Sequence, residues 1–227
     1  MQTLIDIGTV LLGYIIGSIP FGLLIVKYKT GKDIRNVESG RTGGTNAVRA
    51  AGFWAGLLTA ILDILKGTVA VWIAQSLTGN LLVHVLAPVG AILGHNYSVF
   101  LVSRDSEGKL RFFGGAGGAP ALGGAAGLWL PMFPIVFGVG LIIWFTIGIA
   151  SVTTMAIGLI ITVAFVIRAY LGESPIYILY GVLTLFLLIW ALRPNLKKLM
   201  AGQERIVSIS LNGLLRARKE AGKTNET

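Results

Sequence analysis

The sequence predicts an all-α protein that crosses a membrane repeatedly, a polytopic integral membrane helix bundle of about seven transmembrane helices. Hydrophobic residues make up 54% of the chain and charged residues 13%, and the mean hydropathy is +0.78. Soluble domains carry roughly 25% charged residues, so the composition excludes an ordinary soluble domain. The apolar residues also lie in long runs, and a helix needs about 20 of them to cross the hydrocarbon core.

Seven apolar segments are the candidate spans. Pro20 lies inside the first segment and predicts a kink there, because proline removes a helical hydrogen bond. The fourth and fifth segments are short and meet at Pro131, so one long kinked segment, with six spans in total, is the alternative. The segments are 4–26, 54–76, 81–102, 119–130, 132–146, 152–171 and 176–192.

The distribution of Lys and Arg predicts the orientation of the bundle. With the N-terminus outside, the inner segments are 27–53, 103–118, 147–151 and the tail from Arg193, and they hold seventeen of the nineteen Lys and Arg residues. The positive-inside rule predicts such an asymmetry. Six spans would separate the tail from the 27–53 segment, so the charges favour seven spans in the cell membrane and a cytoplasmic C-terminus.

The chain is predicted to consist of one membrane-embedded domain, residues 1–205, and a basic cytoplasmic tail, residues 206–227. From Ile206 to Lys219 the apolar and basic pattern is typical of a helix that lies on an anionic leaflet. The end of the chain, residues 220–227, is predicted to be disordered. We attribute the formal net charge of +9 to the basic segments that set the orientation of the bundle and attract anionic lipid, not to nucleic-acid binding.

The longest polar, glycine-rich stretch between two spans is residues 38–49. Its glycines, Gly40, Gly43 and Gly44, predict a backbone with positive φ whose N–H groups converge on one point. Such a loop binds phosphate, and it is not a P-loop because no Lys-Ser or Lys-Thr follows the glycines. The alternative is an ordinary polar loop that joins two spans.

Polar side chains of the same stretch add donors for a phosphate. Ser39, Thr45 and Asn46 offer small donor groups, and Arg49 offers a planar guanidinium that matches phosphate geometry. These side chains strengthen the prediction of a phosphate-holding loop at the membrane surface.

A second polar cluster lies at the predicted inner end of the third span. His95 follows a glycine there, and we weigh a functional imidazole equally against a hydrogen-bonded interhelical histidine. Further on, Gly114, Gly115 and Gly117 predict a second phosphate-binding loop. Both clusters fall on the same predicted side of the membrane, so together they outline a site.

Two residue pairs inside the spans receive structural interpretations. Asp63 and Lys66 lie three residues apart on one face of the second span, and charges at that depth face a bundle interior. We interpret them as an ion pair beneath the site, with a direct role in catalysis as the alternative. Gly13 and Gly17 are four residues apart in the first span and predict a close helix contact.

Several kinds of site are excluded by the residues present. The chain has no cysteine and only two histidines, His84 and His95, and no carboxylate cluster, so neither a metal site nor another cofactor is expected. No acyltransferase His-x-x-x-x-Asp, Gly-x-Ser-x-Gly or His-Glu-x-x-His motif occurs. Oriented N–H groups, hydroxyls, Arg49 and one imidazole remain. They suit phosphate binding and oxyanion stabilisation without a covalent intermediate.

Three motifs in this order make the chain similar to a known family. They are Ser-Gly-x-x-Gly-x-Thr-Asn from Ser39 with Arg49 three residues on, Asp-x-x-Lys-Gly from Asp63, and Gly-His-x-x-x-Val-Phe-Leu from Gly94 before a Gly-Gly-x-Gly loop. Together they resemble the bacterial acyl-phosphate-dependent glycerol-3-phosphate acyltransferases, the PlsY family.

The resemblance implies acyl transfer from acyl phosphate to the 1-hydroxyl of glycerol 3-phosphate, giving lysophosphatidic acid for phospholipid synthesis. It also implies seven spans, a site open to the cytoplasm, and no coenzyme A or metal. The implied catalytic residues are His95, Ser39 and Asn46. The implied phosphate-binding residues are Gly40, Gly43, Gly44, Thr45, Arg49, Gly114, Gly115 and Gly117. The implied acceptor-binding residues are Ser151, Asn195 and Glu204.

The chain departs from the family pattern on the acceptor side. Phe113 and Ala116 stand where the family has lysines, and Leu192 stands where it has a histidine. The charged insertion 104–111 is one source of replacement cations. An acyltransferase with a different hydroxyl acceptor, a non-catalytic paralogue and a small-solute transporter are the alternatives. The transporter alternative is disfavoured because this sequence lacks the paired, interrupted helices that transporters with inverted repeats contain.

Overall fold

The computed structural model describes residues 1–104, 107–207 and 210–224, with side chains as far as Arg218. These residues form an α-helical bundle with one small β-hairpin. The helices are α1 (Gln2–Ser18), α2 (Phe21–Thr30), α3 (Gly44–Ala51), α4 (Phe53–Leu77), α5 (Leu81–Asn96), α6 (Gly118–Leu128), α7 (Met132–Ile147), α8 (Ala150–Tyr170), α9 (Ile176–Ala191), α10 (Arg193–Met200) and α11 (Leu211–Thr224); the strands are β1 (Val102–Arg104) and β2 (Leu110–Phe112).

The bundle is apolar on its outer surface as well as in its core. Large side chains such as Leu11, Ile142 and Val163 are about half exposed on α1, α7 and α8. A continuous apolar exterior is unfavourable in water and suits a surface that faces lipid. Inside, Phe165 and Tyr180 are fully buried, and the Tyr180 hydroxyl donates to the carbonyl oxygen of Ala121 at 2.7 Å.

Helices α1 and α5 pack closely because small residues line their contact. A Cβ atom on Gly13 would overlap the main chain of Ala87, and a Cβ atom on Gly17 would overlap that of Ala91. Only glycine fits at these two positions, which confirms the close helix contact predicted from their spacing. This contact fixes α5, the helix that carries the site histidine, against the first span.

Fewer helices are long enough to cross a membrane than the seven spans that the sequence predicted. Four helical segments in the described part of the chain are long and apolar enough to cross a membrane, or five if α9 and α10, bent by 65°, count as one. The first segment breaks at Pro20, as predicted. Helix α6 has 11 residues, so it is about 16 Å long against a core of roughly 30 Å. It packs against α4, where Gly67 meets Pro120 and Gly123 meets Ile64. The count of seven therefore stays a prediction.

The four segments that the charges placed inside meet at one end of the bundle. The N–H of Thr42 donates to the carbonyl oxygen of Gly114 at 3.2 Å, and the N–H of Val207 donates to that of Gly148 at 2.7 Å. At the opposite end, the side chain of Gln2 donates to the Thr78 hydroxyl at 3.1 Å. The glycine-rich loops are thus gathered at the end away from the N-terminus.

The charged insertion forms the β-hairpin, whose strands pair antiparallel with largely exposed side chains. The Arg104 guanidinium donates to the carbonyl oxygen of Gly108 at 3.4 Å, and Lys109 pairs with Glu107 at 2.7 Å. These contacts lie within the hairpin itself. Arg104 and Lys109 are therefore bonded to other residues of the hairpin.

The tail contains a helix, as the apolar and basic pattern predicted, but with different bounds. Helix α11 begins at Leu211 and continues to Thr224, beyond Lys219, where the pattern predicted its end. Residues 225–227 of the predicted disordered end lie outside the described residues. Leu211, Leu214 and Leu215 are exposed, which suits the predicted contact with a lipid surface.

Reporter fusions test the orientation of the bundle. We expect a reporter that is active only outside the cytoplasm to be active after Thr78 and silent after Lys109 or Lys219, because the inner segments hold most of the Lys and Arg. A reporter that works only in the cytoplasm should give the reverse pattern and is the control. Activity of the first reporter at Lys219 would mean an even number of spans and would contradict the orientation.

Candidate active site

The loop between α2 and α3 is fixed before its glycines begin. Asp33 caps the 3₁₀ turn Ile34–Asn36 by accepting the N–H of Arg35 at 2.9 Å, and its carboxylate pairs with the Arg35 guanidinium at 2.6 Å. The side-chain hydrogen bond from Arg35 lowers the pKa of Asp33. The positive charge of Arg35 is therefore balanced by the Asp33 carboxylate at the start of the loop.

The buried side chain of Asn46 ties the same loop together. Its amide nitrogen donates to the carbonyl oxygens of Ile34, Val37 and Arg41 at 3.2, 2.9 and 2.9 Å. An amide nitrogen has only two hydrogens, so the donor capacity of Asn46 is used within the loop. The geometry points to a positioning role for this residue, which the family resemblance placed among the catalytic residues.

The backbone of the loop differs from the prediction at two of its three glycines. Positive φ occurs at Glu38 (49°) and Gly40 (68°), whereas Gly43 has φ −83° and Gly44 begins α3. The expectation of positive φ at Gly43 and Gly44 is therefore wrong. The unpaired N–H groups are instead those of Gly43, Gly44 and Thr45 at the positive end of the α3 dipole, because the N–H groups of Asn46 and Ala47 already donate to the Gly43 carbonyl oxygen. An anion binds at such an end without a glycine nest.

Three predicted phosphate contacts lie on the exposed side of this loop. Ser39, Thr45 and Arg49 are all exposed, and the Ser39 hydroxyl accepts the N–H of Arg41 at 3.4 Å. Within the described residues, Arg49 makes no hydrogen bond or ion pair. The guanidinium at the centre of the site belongs to Arg41, to which the sequence interpretation gave no role. An arginine inside a glycine-rich loop was the only available signal.

Arg41 joins three of the inner segments. Its Nη1 atom donates to the carbonyl oxygen of Gly115 at 3.0 Å, and Nη2 donates to the carbonyl oxygen of Ala191 at 2.7 Å and to Asn195 Oδ1 at 3.0 Å. The amide nitrogen of Asn195 in turn donates to the Glu204 carboxylate at 3.1 Å. Asn195 and Glu204, both predicted to bind the acceptor, thus hold Arg41 between the second glycine loop and the end of α9.

His95 lies beneath the second glycine loop. Its main-chain carbonyl oxygen accepts the N–H of Gly115 at 2.8 Å, and a Cβ atom on Gly115 would overlap its Nε2 atom. The histidine is 5% exposed. Gly114 lies against the carbonyl oxygens of His95 and Asn96, and Gly117 takes φ 88° as α6 begins. The ring therefore supports the loop from below.

A buried ion pair lies under His95. Lys66 Nζ is 2.7 Å from Asp63 Oδ1, with both side chains 2% exposed, and the same carboxylate oxygen is 3.4 Å from His95 Nδ1. Lys66 also donates to the carbonyl oxygen of Ile19 at 3.2 Å. The structure confirms the ion pair predicted beneath the site. With the Nδ1 side of the imidazole facing Asp63, its Nε2 side faces the glycine loop.

Ser151, predicted to help place the acceptor, lies buried in the first turn of α8. Its hydroxyl has no hydrogen-bond partner in the described part of the chain. Helices α8 and α9 run antiparallel, and Gly158 faces Leu185. Continuing this register by two turns brings Ser151 level with Leu192. Ser151 therefore belongs to the same end of the bundle as Asn195.

A matched pair of alanine substitutions tests the contact beneath the second loop. Gly115→Ala places a methyl group onto the His95 ring, and such overpacking costs about 1–3 kcal/mol. Gly43→Ala meets no atom within 4 Å and keeps an ordinary φ. We expect the first variant to lower the midpoint of thermal unfolding in detergent by several degrees and the second to leave it unchanged. Equal midpoints would mean that the close contact is absent.

Comparison with known proteins places most of the chain in one family. The family model described as glycerol-3-phosphate acyltransferase matches residues 7–202. A relative of that name from Rhodopseudomonas palustris (strain HaA2) is 37% identical over 205 residues, which cover 88% of this chain and 94% of the relative. Another of that name, from Limosilactobacillus reuteri (strain DSM 20016), is 35% identical over 219 residues, covering 94% and 97%.

Two solved structures share the fold, and both are crystal structures of PlsY, an integral membrane glycerol 3-phosphate acyltransferase. The glycerol 3-phosphate form matches with a TM-score of 0.75 at 32% identity, over 88% of this chain and 94% of that one. The lysophosphatidic acid form matches with a TM-score of 0.74 at 29% identity, over 90% and 96%. Sequence and fold agree along nearly the full length, so this integral membrane helix bundle belongs to the glycerol-3-phosphate acyltransferase family.

Proposed function

We propose that this protein transfers a fatty acyl group from acyl phosphate to the 1-hydroxyl of glycerol 3-phosphate, giving lysophosphatidic acid and inorganic phosphate. The observation that carries the proposal is the meeting of the two glycine-rich loops at one end of the bundle, through the Thr42–Gly114 hydrogen bond and the Arg41 guanidinium. The glycerol 3-phosphate and lysophosphatidic acid forms of PlsY support this acceptor and this product.

Each loop is assigned one phosphate group. The donor phosphate lies at the N-terminus of α3, where the N–H groups of Gly43, Gly44 and Thr45 have no intrahelical acceptor. Ser39 and Arg49 lie at the exposed rim of the same loop. The acceptor lies against the second loop, with Gly114, Gly115 and Gly117 on one side and Ser151, Asn195 and Glu204 on the other.

The reaction joins these two substrates directly. The 1-hydroxyl oxygen of the acceptor attacks the carbonyl carbon of the acyl phosphate, the carbon–oxygen bond to phosphate breaks, and phosphate leaves with the electron pair. The hydroxyl proton passes to the leaving phosphate as the ester forms, and the phosphate departs as hydrogen phosphate. Main-chain N–H groups that hold the phosphates and the developing oxyanion lower the barrier by orientation and electrostatic stabilisation, so neither a metal nor another cofactor is required.

His95 and Asn46 act in this proposal through the loops. His95 supports Gly115 from below, and the Asp63–Lys66 pair holds the ring in place. Asn46 keeps the first loop folded by bonding three of its carbonyl oxygens. The catalytic contribution of both residues is therefore the position of the N–H groups that touch the substrates.

The active site is proposed to face the cytoplasm from the cell membrane. Its end of the bundle carries most of the Lys and Arg residues, which are retained on the inner side of membranes. The apolar exterior contacts membrane lipid, and the acyl chain of the donor stays in that lipid while its phosphate reaches the site. Donor and acceptor thus approach from two different phases.

Purified protein with acyl phosphate and a panel of polyol phosphates tests the function. We expect acylated glycerol 3-phosphate, one phosphate released per product, and no phosphate release without an acceptor. If product formed only with another polyol phosphate, that compound and not glycerol 3-phosphate would be the acceptor. Accumulation of labelled solute in vesicles without consumption of acyl phosphate would indicate a transporter.

Substitution of the two histidines tests the role of His95. We expect His95→Asn to lower kcat at least tenfold, or about 1.4 kcal/mol, with the shape of the pH profile unchanged because no titrating group leaves the reaction. His84→Asn is the matched control, since His84 bonds the Thr78 carbonyl at the opposite end of the bundle and should leave activity unaltered. Loss of the acidic limb in His95→Asn would show that the imidazole itself takes the proton.

A further inference from the structure

We propose that Arg41 is the cation that binds the phosphate group of the acceptor and thereby sets the affinity of this protein for glycerol 3-phosphate. The inference rests on the proposed function, which names the acceptor but not the charge that holds it. Ala116 and Leu192 adjoin Gly115 and Ala191, whose carbonyl oxygens Arg41 bonds, and neither carries a charge. Arg41 is the cation that lies between these two positions.

The charge of Arg41 is held by neutral groups. Its three acceptors are the carbonyl oxygens of Gly115 and Ala191 and the amide oxygen of Asn195, and no ion pair to it occurs among the described residues. Burial lowers the pKa of Arg41, because desolvation disfavours its charged form. A desolvated guanidinium with neutral partners is stabilised when an anion binds beside it. Arg35, in contrast, is already paired with Asp33.

The guanidinium also keeps donors for a ligand. It has five N–H groups, of which Nη1 uses one and Nη2 uses two for the acceptors named above. The Nε–H group and the second Nη1–H group have no acceptor within the described residues. Arg41 is thus fixed by three hydrogen bonds and retains two donors, as a preorganised phosphate contact requires.

Two further buried polar groups at this end of the bundle, on α8 and α5, have no partner among the described residues. The hydroxyl of Ser151 is one, and the side-chain amide of Asn96, which lies against Gly117, is the other. Both residues are less than 5% exposed. A buried polar group without a hydrogen bond is costly, so their presence indicates a polar ligand at this end of the bundle. The hydroxyl groups and phosphate of the acceptor supply such partners.

Arg41→Gln tests the inference, because glutamine keeps an amide donor and removes the charge. The KM for glycerol 3-phosphate should rise about ten- to a hundredfold, as expected for the loss of a hydrogen bond between charged groups. The KM for acyl phosphate should stay within about threefold of the wild-type value, since the donor is assigned to the N-terminus of α3. An unchanged KM for glycerol 3-phosphate would overturn the inference.

Two matched controls separate charge recognition from a structural effect. Arg168→Gln removes an arginine that is paired with Glu173 at the far end of α8, away from the site, and should leave both KM values unchanged. Glycerol, which lacks the phosphate, should be acylated at the same low rate by wild type and by Arg41→Gln. If Arg41 only held the loops in place, acylation of glycerol would fall as well, and the inference would be wrong.

Charge restoration gives the converse result. Ala116 follows Gly115, whose carbonyl oxygen Arg41 bonds, so Ala116→Lys in the Arg41→Gln background returns a cation to the same place. We expect this double variant to recover most of the affinity for glycerol 3-phosphate. If Arg41→Gln does not fold, Arg41→Lys keeps the charge and should raise the KM only a fewfold. If the KM of Arg41→Lys for glycerol 3-phosphate rose as much as is expected for Arg41→Gln, the inference would be contradicted.

Calorimetric titration with glycerol 3-phosphate separates this inference from the proposed function. Binding by wild type that is lost in Arg41→Gln supports the inference even if no acyl transfer is detected. Acyl transfer with normal kinetics in Arg41→Gln, together with a large rise in KM in Arg104→Ala, would preserve the function and place the cation in the hairpin instead.

Discussion

The polar end of this bundle depends on main-chain hydrogen bonds between loops, because irregular backbone in a membrane protein must be bonded within the protein or line a polar cavity. The Thr42 N–H group bonds the Gly114 carbonyl, and the Gly115 N–H group bonds the His95 carbonyl. The first bond joins the two glycine-rich loops, and the second fixes both to α5. These bonds also position the Gly115 carbonyl oxygen that Arg41 bonds. The side-chain contacts of the site therefore depend on the main-chain hydrogen bonds between the loops.

The role of the buried Asp63–Lys66 pair follows from the residues that it contacts. Desolvating two charges cancels much of their attraction, so such a pair adds little net stability, yet removing one partner costs about 3–5 kcal/mol. Lys66 also bonds the carbonyl oxygen of Ile19, at the break before Pro20, while Asp63 faces His95. The pair thus connects α4 to the break between α1 and α2 and to α5. Its contribution is the position of the histidine beneath the loop.

Sequence reasoning succeeded where a feature depends on local spacing and failed where it depends on tertiary packing. The three-residue spacing of Asp63 and Lys66 implies one helix face in any helix, and the ion pair followed. The grouping of the loops at one end followed from charge and from the number of predicted spans. The bounds of α6 and α7 also followed, to within two residues, from the two short segments on either side of Pro131. Whether each of these short helices crosses the membrane did not follow, because a short apolar run is equally compatible with a span and with a helix packed inside the bundle. Arg41 was missed for a related reason: its acceptors lie as far as Asn195, and no spacing within the loop indicates them.

The two phosphate groups of the proposed reaction are held by different kinds of charge. The N-terminus of α3 offers about half an elementary charge spread over several N–H groups, which suits a phosphate that must leave after every turnover. Arg41 offers a full charge fixed by three neutral acceptors, which suits a phosphate that enters with the acceptor and stays on the product. Glu204 reaches the guanidinium only through the amide of Asn195, so it orients the cation without neutralising it. A carboxylate in direct contact would compete with the substrate, and the intervening amide avoids that competition.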